Sequence, residues 1–345
     1  MTSLEHERVV VATGARSGLP VIVAVHSTAL GQAVGGCRMW HYTDWQHALD
    51  DALRLSTAMT LKCALAGLPL GGGKSVIALP PGAVLSAAAR RDVLHDLGDV
   101  IESFDGAYGV GEDVGTTAED MLVIGERTKH VYGLPVTSGG MGEPSEPTAV
   151  GVYEAIKVTC EHLYGAPTVA GHSFTIIGLG QVGSRLAERL VADGAKVTVT
   201  DIDETKRSLA AAVGAAWVEL DQAVALPTEI LVPAALGGLL SPESVAGLQC
   251  DAVVGPANNQ LVSDDVADLL AERKVLWAPD FLVNAGGVIC GARMEMAKDS
   301  REDALAAVAH IGDTLREVFA LADGEGTTPL RAALVLARER LGTAG

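Results

Sequence analysis

Residues 8–12 and 19–26 are runs of apolar, mostly β-branched side chains joined by the turn-rich phrase GARSG, and they predict two strands. Asp44 is placed to cap a helix starting near Trp45, with Leu49, Ala52 and Leu53 on one apolar face at helical spacing. A glycine-rich phrase, GLPLGGGK, follows, and then a short strand over 75–79 that ends at Pro80 and Pro81. The pattern predicts a helix over 87–104, leading to AYGVGEDVGTTAEDM. Beyond it, GLPVTSGGMGEPSEPTA concentrates Gly, Pro and Ser and predicts a linker near Pro147.

From Ala149 the pattern changes. A helix over 149–162 precedes a strand, Ser173–Ile177, a glycine turn, a helix over 182–193 and a strand, Lys196–Thr200. Short strands recur at 229–232, 252–255 and 275–277. Strands alternating with helices at this length predict an α/β domain with a parallel sheet covered on both faces. One long amphipathic helix over 301–322 and a final one over 329–341 complete the pattern, and no internal repeat is visible. Two α/β domains are expected, 1–148 and 149–324.

Composition supports two hydrophobic cores: the chain has 345 residues, 48% apolar and 20% charged. A net charge of −18 argues against general binding to nucleic acid or anionic membrane, since like charges repel. It leaves room for a small anionic substrate met by local lysines. The cysteines (Cys37, Cys63, Cys160, Cys250 and Cys290) are scattered and form no CxxC pair, so neither a disulfide framework nor a metal site is expected. The N-terminus shows no signal-peptide pattern and no apolar run is long enough to span a bilayer, which makes a reducing cytoplasm the expected compartment.

Two features carry chemistry. Between Leu55 and Ala89 only two residues are charged, Lys62 and Lys74. Like charges in an apolar stretch are costly. A lysine desolvated beside another cation loses its proton more readily and becomes a base, while its charged neighbour suits a carboxylate. The bland alternative is that both side chains reach water along their stems. The second feature is FTIIGLGQVGSRLAERLVADGAKVTVTDID, in which Gly178, Gly180 and Gly183 form GxGxxG between a strand and a helix. Glycine there allows a tight turn, close approach of backbone to a pyrophosphate, and helix–strand packing. Asp201 ends the second strand, where an acid binds a ribose 2′-hydroxyl and favours NAD, although Lys206 and Arg207 keep NADP open. A phosphate-binding loop at GGGKS is disfavoured: its first glycine should fall at Leu68, and SVIALPP reads as a strand, not as the start of a helix.

Together GGCRMW, MTLKCALAGLPLGGGKSVI, GEDVGTTAEDM, PSEPTAVGVYEA, GLGQVG, GPANNQL and APDFLVNAGGVI resemble, in order, the amino-acid dehydrogenase superfamily in its leucine, valine and phenylalanine branch. The resemblance implies an N-terminal substrate domain, a C-terminal Rossmann-type NAD domain, a cleft between them, and a final helix over about 325–345 that returns to the first domain. It implies reversible NAD-dependent oxidative deamination of an L-amino acid to a 2-oxo acid and ammonia. It maps the substrate carboxylate to Lys62, the catalytic lysine to Lys74 and the proton carrier to Asp113. The pattern also makes Gly35 and Gly36 close-approach glycines at the substrate carboxylate. Asn258 is assigned to substrate or nicotinamide, with Asn259 equally good by sequence alone, and Asn284 joins it. Thr148 and the loop 233–238, with Ala235, are expected to border the nicotinamide. Relatives assemble, so a homo-oligomer is expected. Cys37, where relatives usually carry threonine, and Pro256, in place of alanine, depart from the pattern.

For the substrate side chain, the resemblance makes Gly111 the phenylalanine-type choice where leucine-type relatives tend to have alanine. Cys290 and Gly291 stand where a bulky valine would narrow an aliphatic pocket, so both differences predict more space and an aromatic substrate. Val34 and Val288 still suit an aliphatic lining, which keeps leucine and valine as alternatives. A different class, an NAD-binding protein without catalysis, is disfavoured by the presence of both Lys74 and Asp113.

Overall fold

Strand β1 (Arg8–Thr13) pairs antiparallel with β2 (Pro20–Ser27) in the register Arg8↔Val25 to Thr13↔Pro20. The intervening turn is clamped by the Asp96 carboxylate, which accepts from the backbone N–H groups of Arg16 and Ser17. The computed structural model describes residues 5–342 apart from Leu236. Met1–Leu4, Thr343–Gly345 and Leu236, the last in the loop expected at the nicotinamide, lie outside the described residues.

The remaining strands of this sheet are β3 (Ala33–His41), β4 (Gly71–Leu79) and β5 (Tyr108–Glu112), in the order β1-β2-β4-β3-β5. β4 runs antiparallel to β2 and parallel to β3, and β5 runs parallel to β3. All nine residues of β4 are buried, including the glycines that sequence reading left outside the strand. Helix α1 (Trp45–Leu65) is capped by Asp44, which accepts from His47 N. It lies so close to β4 that a Cβ at Gly72 would fall 2.1 Å from Thr60 N. Helix α2 (Ala87–Glu102) covers the other face with α3 (Ala118–Gly125), whose start carries a Thr117/Asp120 capping box. Val93, Leu94, Leu97, Ile101, Met121 and Ile124 from these helices close the core.

The chain divides into two compact units. The first holds the chain up to Glu143, Gly291–Ser300 and the chain from Ala337 onward; the second holds Pro144–Cys290 and Arg301–Leu336. The linker expected near Pro147 is instead the first turn of α4 (Ser145–Tyr164), where proline costs no intrahelical hydrogen bond. Then come β6 (Ser173–Ile177), α5 (Gln181–Ala192), β7 (Lys196–Thr200), β8 (Ala216–Trp217), β9 (Ile230–Pro233), β10 (Ala252–Val253) and β11 (Leu276–Trp277). All pairs are parallel, in the order β11-β10-β9-β6-β7-β8. The order reverses beside β6, the position where ligands meet a doubly wound sheet.

The single helix expected over 301–322 is two helices, Arg301–Val308 and His310–Glu325. Val308 and Ile311, on either side of the break at Ala309, both pack on Gly151 of α4. The final helix is Pro329–Arg340, and Arg340 Nη1 donates to Leu65 O at 2.5 Å, at the end of α1. Among the described residues no helix is long and apolar enough to cross a membrane.

Candidate active site

Lys74 sits in the middle of β4, opposite Ala24 of β2, and is only 6% exposed. Because it lies on a strand and not at the opening of a helix, the phosphate-loop alternative has no structural basis. An unpaired ammonium there would cost on the order of several kcal/mol. The charge is met by Asp113, just beyond the end of β5, with Lys74 Nζ donating to Asp113 Oδ2 at 2.6 Å. Asp113 is fixed in turn by its own backbone, whose N–H donates to Thr116 Oγ1 at 3.0 Å, while that hydroxyl donates to Cys37 O on β3. Burial raises the Asp113 pKa, but Lys74 and then Arg38 outweigh it and hold the carboxyl at about 2.

The sequence predicts Lys62 as the cationic neighbour of Lys74. Lys62 occupies the last turn of α1, partly buried. The cation that shares the Lys74 partner is Arg38 of β3, whose Nε donates to the same Asp113 Oδ2 at 3.3 Å. Arg38 Nη1 also donates to Asp51 Oδ2 at 2.8 Å, and Asp51 further accepts from Tyr42 Oη (2.8 Å) and Arg54 Nη2 (2.6 Å). A strand in an antiparallel or parallel ladder brings neighbours together from distant sequence positions, so local spacing gave no sign of this cluster. The only local hint was an arginine inside the otherwise apolar phrase AVGGCRMW.

Gly36 flanks the pair: a Cβ there would lie 2.6 Å from Asp113 Cβ and 3.3 Å from Lys74 Nζ. Gly35 faces β4, where a Cβ would strike Gly73 O at 1.8 Å. Gly111 pairs with Gly36 across β3 and β5, and a Cβ on it would meet only Tyr132 O, at 3.8 Å. That is ordinary contact, so the glycine leaves a methyl group's space unfilled. Gly291 is comparable: a Cβ there would meet Met141 Sδ at 3.8 Å, again an ordinary contact. Cys290 is fully buried. Val34 is buried and Val288 is partly exposed. Glu295, which carried no sequence signal, accepts from Gly133 N (2.8 Å) and Met141 N (2.7 Å) and so holds the Met141 loop in place. Burial pushes the Cys37 thiol up to about 12, so it is no nucleophile.

In the second unit the glycine turn has the form a dinucleotide needs. Gly178 adopts φ +111°, a Gly183 Cβ would collide with Gly178 O at 2.0 Å, and a Gly180 Cβ would enter open space at the start of α5. Gly178 also packs against Ala235, whose Cβ would lie 2.8 Å from a Cβ at Gly178. Asp201 Oδ2 accepts from Leu179 N (2.7 Å) and Lys206 Nζ (2.9 Å), and Oδ1 from Asp203 N (2.9 Å). Each oxygen has two acceptor sites, so Oδ1 retains one for a ribose hydroxyl. Although burial acts to raise the Asp201 pKa, these donors lower it.

The two asparagines are wired together. Asn284 Nδ2 donates to Asn258 Oδ1 (2.8 Å) and to Pro256 O (3.2 Å), which turns the Asn258 amide N–H groups away from Asn284. Asn259 instead takes φ +52° and its carbonyl accepts from Gly238 N, so the two neighbours have different tasks. Asn284 Oδ1 is buried without a hydrogen-bond partner, an acceptor of the kind a carboxamide N–H would satisfy. Thr148 Oγ1 donates to Pro144 O and lies 3.4 Å from the position of a Gly287 Cβ. These residues fit a nicotinamide dinucleotide.

Known proteins are similar to this chain over most of its length. Residues 6–130 match the family model of the Glu/Leu/Phe/Val dehydrogenase dimerisation domain, and residues 198–319 match that of glutamate/leucine/phenylalanine/valine dehydrogenase. A phenylalanine dehydrogenase of Bacillus thermotolerans is 37% identical over 99% of this chain and 90% of its own length. A leucine dehydrogenase of Thermoactinomyces intermedius is 39% identical over 99% and 92%. The crystal structure of L-tryptophan dehydrogenase from Nostoc punctiforme superposes with a TM-score of 0.84 at 33% identity, over 98% of this chain and 96% of that one. The chain belongs to the Glu/Leu/Phe/Val dehydrogenase family of amino-acid oxidoreductases.

Proposed function

We propose that this protein catalyses the reversible oxidative deamination of an L-amino acid, with NAD as cofactor and L-phenylalanine as preferred substrate. The observation that carries the reaction is the ion pair between buried Lys74 and partly buried Asp113. The cofactor, when bound, accepts the hydride from the substrate α-carbon. Lys62 binds the substrate carboxylate, following the family pattern. Lys74, once neutral, takes a proton from water as it attacks the imino carbon, and as the ammonium it stabilises the oxygen charge that develops. Asp113 carries the proton to and from the substrate nitrogen. Asn258, oriented by Asn284, offers its amide N–H groups to substrate or nicotinamide. Asp201 supports NAD, and its ion pair with Lys206 leaves a weaker route for NADP.

The aromatic preference rests on the space at Gly111; relatives named for phenylalanine and for leucine are equally similar to the chain. The aliphatic Val34 and Val288, by the family pattern, favour leucine or valine as the second reading. The description of the N-terminal family model as a dimerisation domain, with Trp40 and Trp45 about half exposed, supports a homo-oligomer.

The test is NADH formation with L-phenylalanine, L-leucine and L-valine at alkaline pH, for the native protein and Gly111→Ala. Preference for phenylalanine, reduced about tenfold by the added methyl, supports the aromatic reading. Preference for leucine or valine overturns that reading and keeps the reaction. No turnover with NAD or NADP would remove the reaction as well.

A further inference from the structure

Asp113 is held by two cations, and they differ in one respect that matters for turnover. Lys74 can lose its proton; a guanidinium does not. Both donate to the same oxygen, Oδ2, so they stand within about 6 Å of each other, close enough to interact strongly. We propose that Arg38 is a positioning residue of the reaction: it fixes the Asp113 carboxylate while Lys74 gives up and regains its proton, and Asp51 with Tyr42 fixes Arg38. The proposal rests on reading Lys74 and Asp113 as the acid–base pair.

The charge balance of the cluster supports this role. With Lys74 protonated, the cations Lys74, Arg38 and Arg54 face the carboxylates Asp113 and Asp51. With Lys74 neutral, positive and negative charges are equal, and Asp113 still has a cationic partner. Without Arg38, loss of the lysine proton would leave a partly buried carboxylate with no cationic partner; it would then rotate away or take up a proton itself. The other groups around the pair do not compete for that proton, since burial raises the Cys37 thiol and the Tyr108 phenol and keeps both neutral.

The geometry of Arg38 also fits the task. Its planar fork reaches two acids at once, Nε to Asp113 and Nη1 to Asp51, which a lysine cannot imitate. Asp51 is itself over-determined by Tyr42 and Arg54, so the arginine is held from behind. Both carboxylates are depressed, although burial opposes this: Asp51 by Arg54, Tyr42 and Arg38, and Asp113 by Lys74 and Arg38.

The experiment compares Arg38→Met, Arg38→Lys and Asp113→Asn. It measures kcat, KM for the amino acid, the pH profile of kcat, melting temperature and NADH binding by fluorescence. Arg38→Met is expected to lower kcat about 100-fold while KM changes less than about threefold. The alkaline rise of kcat should move upward by about one pH unit. Arg38→Lys, which keeps the charge but not the fork, should recover about tenfold and show a smaller shift. A native kcat in Arg38→Met overturns the proposal, as does loss of activity with the pH profile in place and no recovery in Arg38→Lys. If Arg38→Met does not fold, Arg38→Lys decides: reduced kcat with a shifted rise supports the role, and an unshifted rise overturns it. Activity retained in Asp113→Asn would remove the parent reading of the pair. Loss in Asp113→Asn beside a native Arg38→Met would remove only the role of Arg38.

Discussion

The acid–base site of the first unit and the glycine turn of the second solve opposite problems. Around Lys74 the fold buries charge, and every charge needs a partner: Asp113, Arg38 and Asp51 form one connected set. At Gly178–Gly183 the fold removes side chains so that backbone can approach a ligand, and a nearby acid, Asp201, is held by the turn itself through Leu179 N. The first site depends on side-chain identity and ionisation. The second depends on shape, with charge deciding only which dinucleotide is preferred. This difference predicts where each will break.

The largest effect is expected from Lys74→Ala, which removes the proposed base: kcat should fall about a thousandfold or more while NADH binding, followed by fluorescence, is retained. Equal loss of both would show that the two regions are not separable. Next is Gly183→Ala. Its methyl group has no room beside Gly178 O, so the turn must open, and KM for NAD should rise about tenfold or more before kcat suffers. A native KM for NAD would refute the close-packing argument. Lys206→Met should act on preference alone. Removing the partner of Asp201 leaves its charge to repel a 2′-phosphate, so kcat/KM for NADP should drop about fivefold with NAD little changed.

The smallest expected effect concerns stability in acid. Asp113 has a lowered pKa in the folded protein, so its contribution is complete above the usual carboxylate range and is lost as the pH falls through about 2. The difference in melting temperature between the native protein and Asp113→Asn should therefore be widest near neutrality and close in acid. A gap that stays constant with pH would mean the ion pair adds nothing to the fold.

Legibility in the sequence followed the range of the interactions. The βαβ turn was readable because its three glycines, strand and helix answer constraints within a few residues of one another. The N-terminal hairpin and the Asp44 cap were readable for the same reason. Strand β3 was not, because Gly35 and Gly36 erase its alternation; one is needed for contact with β4 and the other beside Lys74 and Asp113. The helix break at Ala309 was hidden too, since the local pattern of apolar residues runs through it unchanged. Pro147 misled because proline marks a linker and the first turn of a helix equally well.

By itself the sequence determined the two-lysine apolar segment, the nucleotide turn and the family, all carried by short phrases whose residues act on near neighbours or keep their order. Only the tertiary structure decided which charges meet. Lys74 and Asp113 are 39 positions apart, and Arg38 comes from a third strand. Electrostatic partnership is a matter of distance in space, and parallel strands joined by long crossovers put that distance out of reach of any local pattern. The cation seen to share Asp113 with Lys74 is Arg38, on the strand between the other two.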